Sequence, residues 1–333
     1  MTQIVLLMPT AHRESIFTPA SMRRLEECGT VRIAPTGTDH SRADVREMLA
    51  DAEVIVTGTG TAKLDSDVLD GAPKLRAIVH AAGTVRPIVD VDVYDRGVLI
   101  SSQAPTNALP VAEYTLAMIL LELKGVLPIQ EVYRATRGEV DVDAILADQG
   151  NFQRRVGVVS ASSIGRRVIE LLQPFDLEVV VHDPFLTADA ARRLGAETVD
   201  LPTLLRTSDL VTLHAPLLPE TVNMIGAAEL AALRDGAVFV NTARGALVDQ
   251  DALIAELRTG RIRAVIDVTE PEIPDPDSPL WDLPNLVLTP HVAGSRGLEL
   301  RRIGEGVVAE VERLVRGEPL AREVSRERYA TNA

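Results

Sequence analysis

The sequence is poor in cysteine, in aromatic residues and in positive charge. Cys28 is its only cysteine, which excludes an intrachain disulfide and a thiolate metal cluster and fits a reducing, cytoplasmic compartment. Aromatic residues make up 3% of the chain, so few rings can stack on unpaired bases. The 34 Lys and Arg face 48 Asp and Glu, and the formal net charge of −14 repels nucleic acids and anionic membranes. We expect no nucleic-acid partner and no metal.

Long apolar segments are absent as well. No apolar run approaches the ~18–20 residues that cross a bilayer, so we expect no membrane association. Residues 1–9 lack a basic segment and contain a proline, which predicts a first strand and not a signal peptide. The 333 residues favour two domains, because a single core stops growing near ~250–300 residues.

The chain does contain short apolar runs that alternate with amphipathic stretches, the pattern of parallel strands joined by crossover helices. This indicates an α/β fold with two doubly wound parallel sheets. The first series has strands at 4–8, 31–34, 54–57, 77–80 and 98–100 and helices at 19–27, 43–51 and 66–69. The second has six strands at 156–159, 179–182, 210–214, 238–241, 264–268 and 286–289 and helices at 164–172, 188–194, 227–233 and 250–258.

Two more helices complete this prediction. An apolar helix at 111–123 starts after Pro110, where proline suits a first turn. A long helical pattern runs from Gly294 to about Val315, and we expect the charged tail at 322–328 to be mobile.

A candidate dinucleotide turn follows the strand at 156–159. It reads Ser160-Ala161-Ser162-Ser163-Ile164-Gly165, where a phosphate-binding turn normally reads Gly-x-Gly-x-x-Gly. Because Ser160 and Ser162 carry a Cβ, we expect the turn to avoid positive φ. A serine hydroxyl would then cap the helix or donate to phosphate. Taken alone, the motif leaves a cofactor turn and an ordinary strand–helix connection equally open.

Asp183 favours the cofactor turn. It ends the next strand, where a carboxylate accepts hydrogen bonds from the adenosine ribose and repels a 2′-phosphate. No Arg or Lys occurs in 184–186, which favours NAD over NADP. A turn aspartate before Pro184 is the alternative.

Three further segments stand at the ends of late strands, at 241–245, 267–272 and 289–294. They carry an arginine, two glutamates and a histidine to the edge of the sheet where ligands bind. Together with Leu-His-Ala-Pro at 213–216 and Gly-Ala-Leu-Val-Asp at 245–249, they resemble the D-2-hydroxyacid dehydrogenase family. This family includes phosphoglycerate dehydrogenase, formate dehydrogenase and glyoxylate reductases, and the resemblance spans nearly the whole chain.

The resemblance implies an NAD-dependent oxidoreductase that interconverts a 2-keto acid and its D-2-hydroxy acid. Reducing a ketone builds negative charge on oxygen, so the reaction needs a proton donor and a fixed cation. His291 is the candidate acid/base, Arg244 the clamp for the substrate carboxylate, and Glu272 the acceptor that fixes the His291 tautomer. Glu270 is an alternative to Glu272, and His214 is an alternative to His291.

The resemblance also implies binding residues. Those for the cofactor are Ser163, Ile164, Asp183, His214, Thr242, Ala243, Arg244, Asp267, His291 and Gly294, with Ser163 and Ile164 at the pyrophosphate and Asp267 at the nicotinamide carboxamide. Those for the substrate carboxylate are Ala82 and Gly83, with Arg244.

The same resemblance implies the domain organisation. Residues 1–104 and the returning helix and tail at 294–333 would form a flavodoxin-like substrate domain, and 105–293 a Rossmann NAD-binding domain. A homodimer joined through the NAD-binding domains is implied. The alternative function is a dinucleotide-sensing binding protein, like the transcriptional corepressors that share this fold. The serine-substituted turn favours that alternative, whereas Arg244, Glu272 and His291 together favour the enzyme.

Overall fold

The computed structural model describes residues 1–35, 40 and 42–329. They divide into two compact units: the first contains the chain up to Asn107 and again from Ser295, and the second is Ala108–Gly294. The predicted boundaries, after residues 104 and 293, lie three residues and one residue from these.

The first unit contains a five-stranded parallel sheet in the order β2-β1-β3-β4-β5. Its strands are β1 Thr2–Leu7, β2 Gly29–Ile33, β3 Val54–Thr57, β4 Ala77–His80 and β5 Leu99–Ser102. Its first helices are α1 Thr10–Ile16, α2 Pro19–Cys28, α3 Ala43–Asp51 and α4 Ser66–Asp70. Alternate residues of β1 enter opposite hydrophobic layers, Ile4 and Leu6 on one face and Val5 and Leu7 on the other, because side chains alternate along a strand.

The second unit contains a seven-stranded parallel sheet in the order β12-β11-β10-β9-β6-β7-β8. Its strands are β6 Arg154–Val159, β7 Leu177–His182, β8 Glu197–Thr198, β9 Leu210–Leu213, β10 Val238–Asn241, β11 Arg263–Ile266 and β12 Leu286–Leu288. The helices from the unit boundary onward are α5 Ala104–Leu123, α6 Val126–Thr136, α7 Val142–Ile145, α8 Ser163–Leu172, α9 Ala188–Leu194, α10 Leu201–Thr207, α11 Ala227–Ala231 and α12 Gln250–Arg258. The two-sheet α/β fold class is as predicted.

Two predictions about this unit are wrong. The sheet has a seventh strand, β8, whose two residues pair with Val180 and Val181 at the edge and are too few to leave a pattern. Helix α5 begins at Ala104 and contains Pro110. The Asn107 N–H already donates to the Gln103 carbonyl at 2.9 Å, so the helix has started before the proline is reached.

The last helix and the tail also differ from expectation. Helix α13 covers only Leu300–Val315. The tail is held, since Glu310, buried in α13, accepts hydrogen bonds from the N–H groups of Ala321 and Arg322 at 3.1 Å each, and the Val324 N–H donates to Ile100 at 2.8 Å. The prediction of a mobile tail is therefore wrong for the described residues. Every helix in the described ranges is too short or too polar to cross a bilayer.

Candidate active site

The turn between β6 and α8 brings the strand and the helix into close main-chain contact. A Cβ added to Gly165 would lie 2.0 Å from the Ser160 carbonyl oxygen, so only glycine fits there. Ser162 caps α8, because its Oγ accepts a hydrogen bond from the Gly165 N–H at 3.3 Å. Ser163 is exposed and Ile164 half-buried at the start of this helix, where unpaired N–H groups attract phosphate.

The backbone conformation of Ser160 differs from the expectation for this turn. Its φ is +75°, so the turn uses the left-handed conformation that glycine would adopt freely, and the prediction that it avoids positive φ is wrong. The Ser160 Oγ donates to Asp183 Oδ2 at 3.3 Å, and the Ala161 N–H donates to the same oxygen at 2.8 Å. These bonds stabilise a conformation that a Cβ disfavours.

Asp183 follows β7 and is half-buried. Its Oδ1 accepts a hydrogen bond from the Phe185 N–H at 2.8 Å. A carboxylate offers about four acceptor positions, so the three bonds from Ser160, Ala161 and Phe185 leave room for a ribose hydroxyl.

His214 follows β9 and is 3% exposed. Its Nε2 lies 3.0 Å from Thr212 Oγ1, and its buried Nδ1 has no hydrogen-bond partner among the described residues. Burial lowers the pKa of His214 to about 3, so at neutral pH it is a neutral imidazole and not the cationic acid that the reaction needs. An unpaired buried nitrogen beside the glycine turn, together with the close approach at Gly165, fits a bound dinucleotide.

The Arg244 segment follows β10 and is organised by Asn241. Asn241 accepts a hydrogen bond from the Ala243 N–H at 3.0 Å and donates to the Arg244 carbonyl at 2.9 Å. The Arg244 guanidinium donates from Nη1 to the Ala243 carbonyl at 2.6 Å. The next residue, Gly245, packs closely against the segment after β11, because an added Cβ would lie 2.1 Å from the carbonyl carbon of Thr269.

His291 and Glu272 form a direct pair. His291 Nδ1 lies 2.5 Å from Glu272 Oε1, with 41% of the histidine side chain and 61% of the glutamate side chain exposed. Thr269 Oγ1 donates to the Glu272 carbonyl at 2.9 Å. The Glu270 N–H instead donates to Gln250 at 3.2 Å. Of the two acids considered from the sequence, Glu272 is the one beside His291.

Asp267 holds the loop that carries His291. It is 1% exposed, its Oδ1 accepts from the Val292 N–H at 2.8 Å and from Thr289 Oγ1 at 2.6 Å, and its Oδ2 accepts from the Ala293 N–H at 2.9 Å. The Asp267 carbonyl accepts the His291 N–H at 2.9 Å. This backbone bond and the side-chain bonds fix His291 at a φ of +52°.

Several supporting residues escaped the sequence analysis. Asn241 and Thr289 orient the Arg244 and His291 segments, and Thr242 Oγ1 lies 3.1 Å from Thr115 Oγ1. Thr289 Oγ1 is also 2.9 Å from the hydroxyl of Tyr114. A polar residue at the end of each apolar strand is the signal that could have found Asn241 and Thr289. Gly294 is half-buried and ends this segment.

The first unit contributes the loop that follows β4. The Gln103 N–H donates both to the His80 carbonyl at 3.1 Å and to the Ala82 carbonyl at 2.9 Å, which anchors the backbone at Ala82 and Gly83. Within the described residues, no group of three or more His, Cys, Asp or Glu is arranged to hold a metal ion.

The chain has clear relatives. A family model described as the NAD binding domain of D-isomer specific 2-hydroxyacid dehydrogenase matches residues 116–293. The chain is 31% identical over 317 residues to D-3-phosphoglycerate dehydrogenase of Methanocaldococcus jannaschii, covering 94% of this chain and 58% of that protein. It is 31% identical over 280 residues to glyoxylate reductase of Korarchaeum cryptofilum, covering 84% of each. The chain thus spans little more than half the length of the phosphoglycerate dehydrogenases that it matches.

A solved structure has the same fold. The D-lactate dehydrogenase of Aquifex aeolicus, complexed with NAD and lactic acid, superposes with a TM-score of 0.72 at 25% identity and covers 95% of this chain and 96% of its own. All of these relatives are named as dehydrogenases or reductases, so they do not favour the corepressor-like alternative.

Proposed function

The chain belongs to the D-isomer specific 2-hydroxyacid dehydrogenase family and binds NAD, and on this premise we propose that it interconverts a 2-keto acid and its D-2-hydroxy acid. The observation that carries the proposal is the 2.5 Å contact between His291 and Glu272 on a loop fixed by Asp267. When bound, NADH would supply the hydride for reduction of the keto acid, and NAD would accept one in the reverse direction.

His291 is the proton donor in this proposal. A carboxylate can only accept, so Nδ1–H of His291 donates to Glu272, and Nε2 is the ring atom that exchanges a proton with the substrate. In reduction, the Nε2–H bond breaks as the substrate's C2 oxygen takes the proton and becomes a hydroxyl. Glu272 keeps the ring in this tautomer and stabilises the imidazolium form.

Arg244 binds the substrate carboxylate in this proposal. Its hydrogen bond to the Ala243 carbonyl orients the planar guanidinium, and a guanidinium matches a carboxylate in two parallel bonds. Ala82 and Gly83 in the first unit are proposed to bind the same carboxylate through backbone N–H groups. Arg244→Lys should therefore raise KM strongly, because an ammonium cannot form the two-bond contact.

The remaining proposed roles concern the cofactor. Ser163 and Ile164, at the start of α8, suit the pyrophosphate, and Asp183 suits the adenosine ribose. His214, whose Nδ1 is unpaired among the described residues, lies beside the same turn. The other proposed contacts, at the nicotinamide end, are Thr242, Ala243, Asp267 and Gly294.

The test is NADH oxidation with a panel of 2-keto acids, followed by chiral analysis of the product. We expect turnover with at least one of glyoxylate, pyruvate or hydroxypyruvate, and a D-2-hydroxy acid wherever the product is chiral. NADPH should bind more weakly than NADH, because the Asp183 carboxylate repels a 2′-phosphate. Tight NADH binding with no turnover on any 2-keto acid would contradict the proposal.

We propose further that the protein is a homodimer joined through its NAD-binding domains. In the second unit, α6 has no buried residue, and two aromatic residues, Tyr133 in α6 and Phe152 before β6, are 61% and 65% exposed. Apolar exposure of this kind is typical of an interface. Light scattering should give twice the chain mass, and Tyr133→Glu combined with Phe152→Glu should give a monomer.

A further inference from the structure

The first unit has a topological switch point of its own. In the strand order β2-β1-β3-β4-β5, the chain crosses from β1 to the edge strand β2 and then returns to β3 on the other side of β1. Sheets of this kind bind ligands outside the carboxyl ends of the strands, where the order reverses. The carboxyl ends of β1 and β3 are therefore the favoured ligand position of this unit.

His12 lies at this position. It belongs to α1, directly after β1, and its ring lies against Gly58, directly after β3, where an added Cβ would come 2.4 Å from His12 Cδ2. Its Nε2 is 3.3 Å from the carbonyl oxygen of Ala81, the residue before Ala82 and Gly83. The half-buried imidazole thus lies beside the loop that we assign to the substrate carboxylate.

The bond to Ala81 determines the tautomer of His12. A carbonyl oxygen can only accept, so Nε2 carries the hydrogen and donates it. Burial lowers the pKa of His12, partly offset by its bond to the Ala81 backbone, so the ring is neutral at pH 7. In a neutral ring with Nε2–H, Nδ1 is an acceptor, and it forms no hydrogen bond with other residues in the described part of the chain.

The charged groups around this position do not favour an anionic substituent. His80, on β4, is 3% exposed, has Nδ1 2.9 Å from Thr57 Oγ1, and has its pKa lowered by burial to about 4. Arg13, the residue next to His12, is paired with Glu14, and Lys63 is paired with Asp90. A neutral acceptor repels phosphate and carboxylate oxygens but accepts a hydrogen bond from a hydroxyl.

We propose that His12 determines substrate specificity by accepting, at Nδ1, a hydrogen bond from a hydroxyl group on C3 of the 2-keto acid. The proposal rests on the proposed function and narrows its substrate to 3-hydroxy-2-keto acids, of which hydroxypyruvate is the simplest. Pyruvate differs from it by this one hydroxyl.

Two substitutions distinguish the contribution of Nδ1 of His12 from that of Nε2. The Asn side chain places an oxygen near the position of His Nδ1, whereas the Gln side chain places its amide nitrogen near Nε2. His12→Asn should therefore keep the preference for hydroxypyruvate over pyruvate. His12→Gln should keep the bond to Ala81 but lower the kcat/KM ratio of the two substrates about tenfold, mainly through KM of hydroxypyruvate, as one lost hydrogen bond allows.

The control is His40→Gln, because His40 also contacts a backbone carbonyl of the first unit, that of Ala62 at 3.0 Å. It should leave the substrate ratio unchanged, and a thermal melt of each variant establishes that it is folded. If the kcat/KM ratio of hydroxypyruvate to pyruvate is the same in the wild type, His12→Asn and His12→Gln, and pyruvate is still reduced, the role of His12 is overturned but the proposed function stands. Failure of the wild type to reduce any 2-keto acid would overturn the proposed function and this inference with it. A higher kcat/KM for a 3-phosphorylated keto acid than for hydroxypyruvate would also contradict the assignment.

Discussion

Asp183 follows β7 and Asp267 follows β11, two strands of the same parallel sheet, yet their carboxylates have different surroundings. Asp267 is 1% exposed and accepts hydrogen bonds from Val292, Thr289 and Ala293, all in the loop that carries His291. Asp183 is half-buried, and its bonds run to Ser160, Ala161 and Phe185, at the turn proposed to bind phosphate.

This difference separates two kinds of contribution. Asp267 fixes the backbone around a proposed proton donor, so its loss should reduce turnover and stability. Asp183 lies where the adenosine ribose is expected, so its loss should weaken cofactor binding and leave the chemical step intact.

The largest effect is expected at the loop that Asp267 holds. His291→Ala should lower kcat by about 10²- to 10⁴-fold, because no other group in the proposed mechanism delivers the proton. The Kd of NADH, measured by fluorescence titration, should change by less than about twofold, since His291 acts on the substrate oxygen. A variant that retains more than about a tenth of the activity would contradict the acid/base assignment.

A smaller effect is expected for Asp267→Asn. The amide group keeps the size of the carboxylate but turns one acceptor into a donor, which then meets the N–H of Val292 or Ala293. We expect unfolding free energy to fall by about 1–3 kcal/mol and kcat to fall by more than about tenfold as His291 loses its position. Urea unfolding and steady-state kinetics check both. Unchanged stability with a raised NADH Kd would instead indicate that Asp267 serves chiefly the nicotinamide carboxamide.

Asp183→Ala should act on binding. Removing the acceptor for the ribose should raise the NADH Kd about tenfold, the effect of one charged hydrogen bond, with little change in kcat. The ratio of NADPH to NADH affinity should rise, because no carboxylate remains to repel the 2′-phosphate. Unchanged NADH affinity would support the alternative that Asp183 is a turn residue before Pro184.

The sequence predicts the sheets well because buried parallel strands are short, continuous apolar runs. The strands at Val54–Thr57, Ala77–His80 and Val238–Asn241 have the predicted bounds. Helices α1, α6, α7 and α10 were missed. Three of them, α1, α7 and α10, have only seven, four and seven residues, too few for a helical period to stand out. Helix α6 is longer but buries no residue, so its apolar residues do not mark a face that packs on the core.

The candidate active site could also be predicted only in part from the sequence. Histidine and carboxylate at the ends of late strands can be read along the chain, but the choice between Glu270 and Glu272 depends on how the loop folds back. The Ser160 backbone is another case, because the bonds from Ser160 and Ala161 to Asp183 join segments separated by a whole helix. A rule based on local φ preference therefore gave the wrong conformation there.

The smallest effect concerns the two serines that replace glycines in the turn. Ser160 has a φ of +75°, whereas Ser162 has a φ of −60° and caps α8. Ser160→Gly should relieve backbone strain of about 1 kcal/mol, partly offset by the greater freedom of glycine in the unfolded chain. Ser162→Gly relieves no strain and weakens the cap by a few tenths of a kcal/mol.

The two variants should thus change the free energy of unfolding in opposite directions. The free energies obtained from their urea midpoints and m values should differ by about 1 kcal/mol. Ser160→Gly should also lower the NADH Kd modestly, because loss of the bond from Ser160 Oγ frees a further acceptor position of Asp183 for the ribose, while the Ala161 N–H still donates to that carboxylate. Equal stability of the two variants would mean that the bonds from Ser160 and Ala161 to Asp183 already compensate the strain in full, and the turn would then bind NADH as well with serine as with glycine.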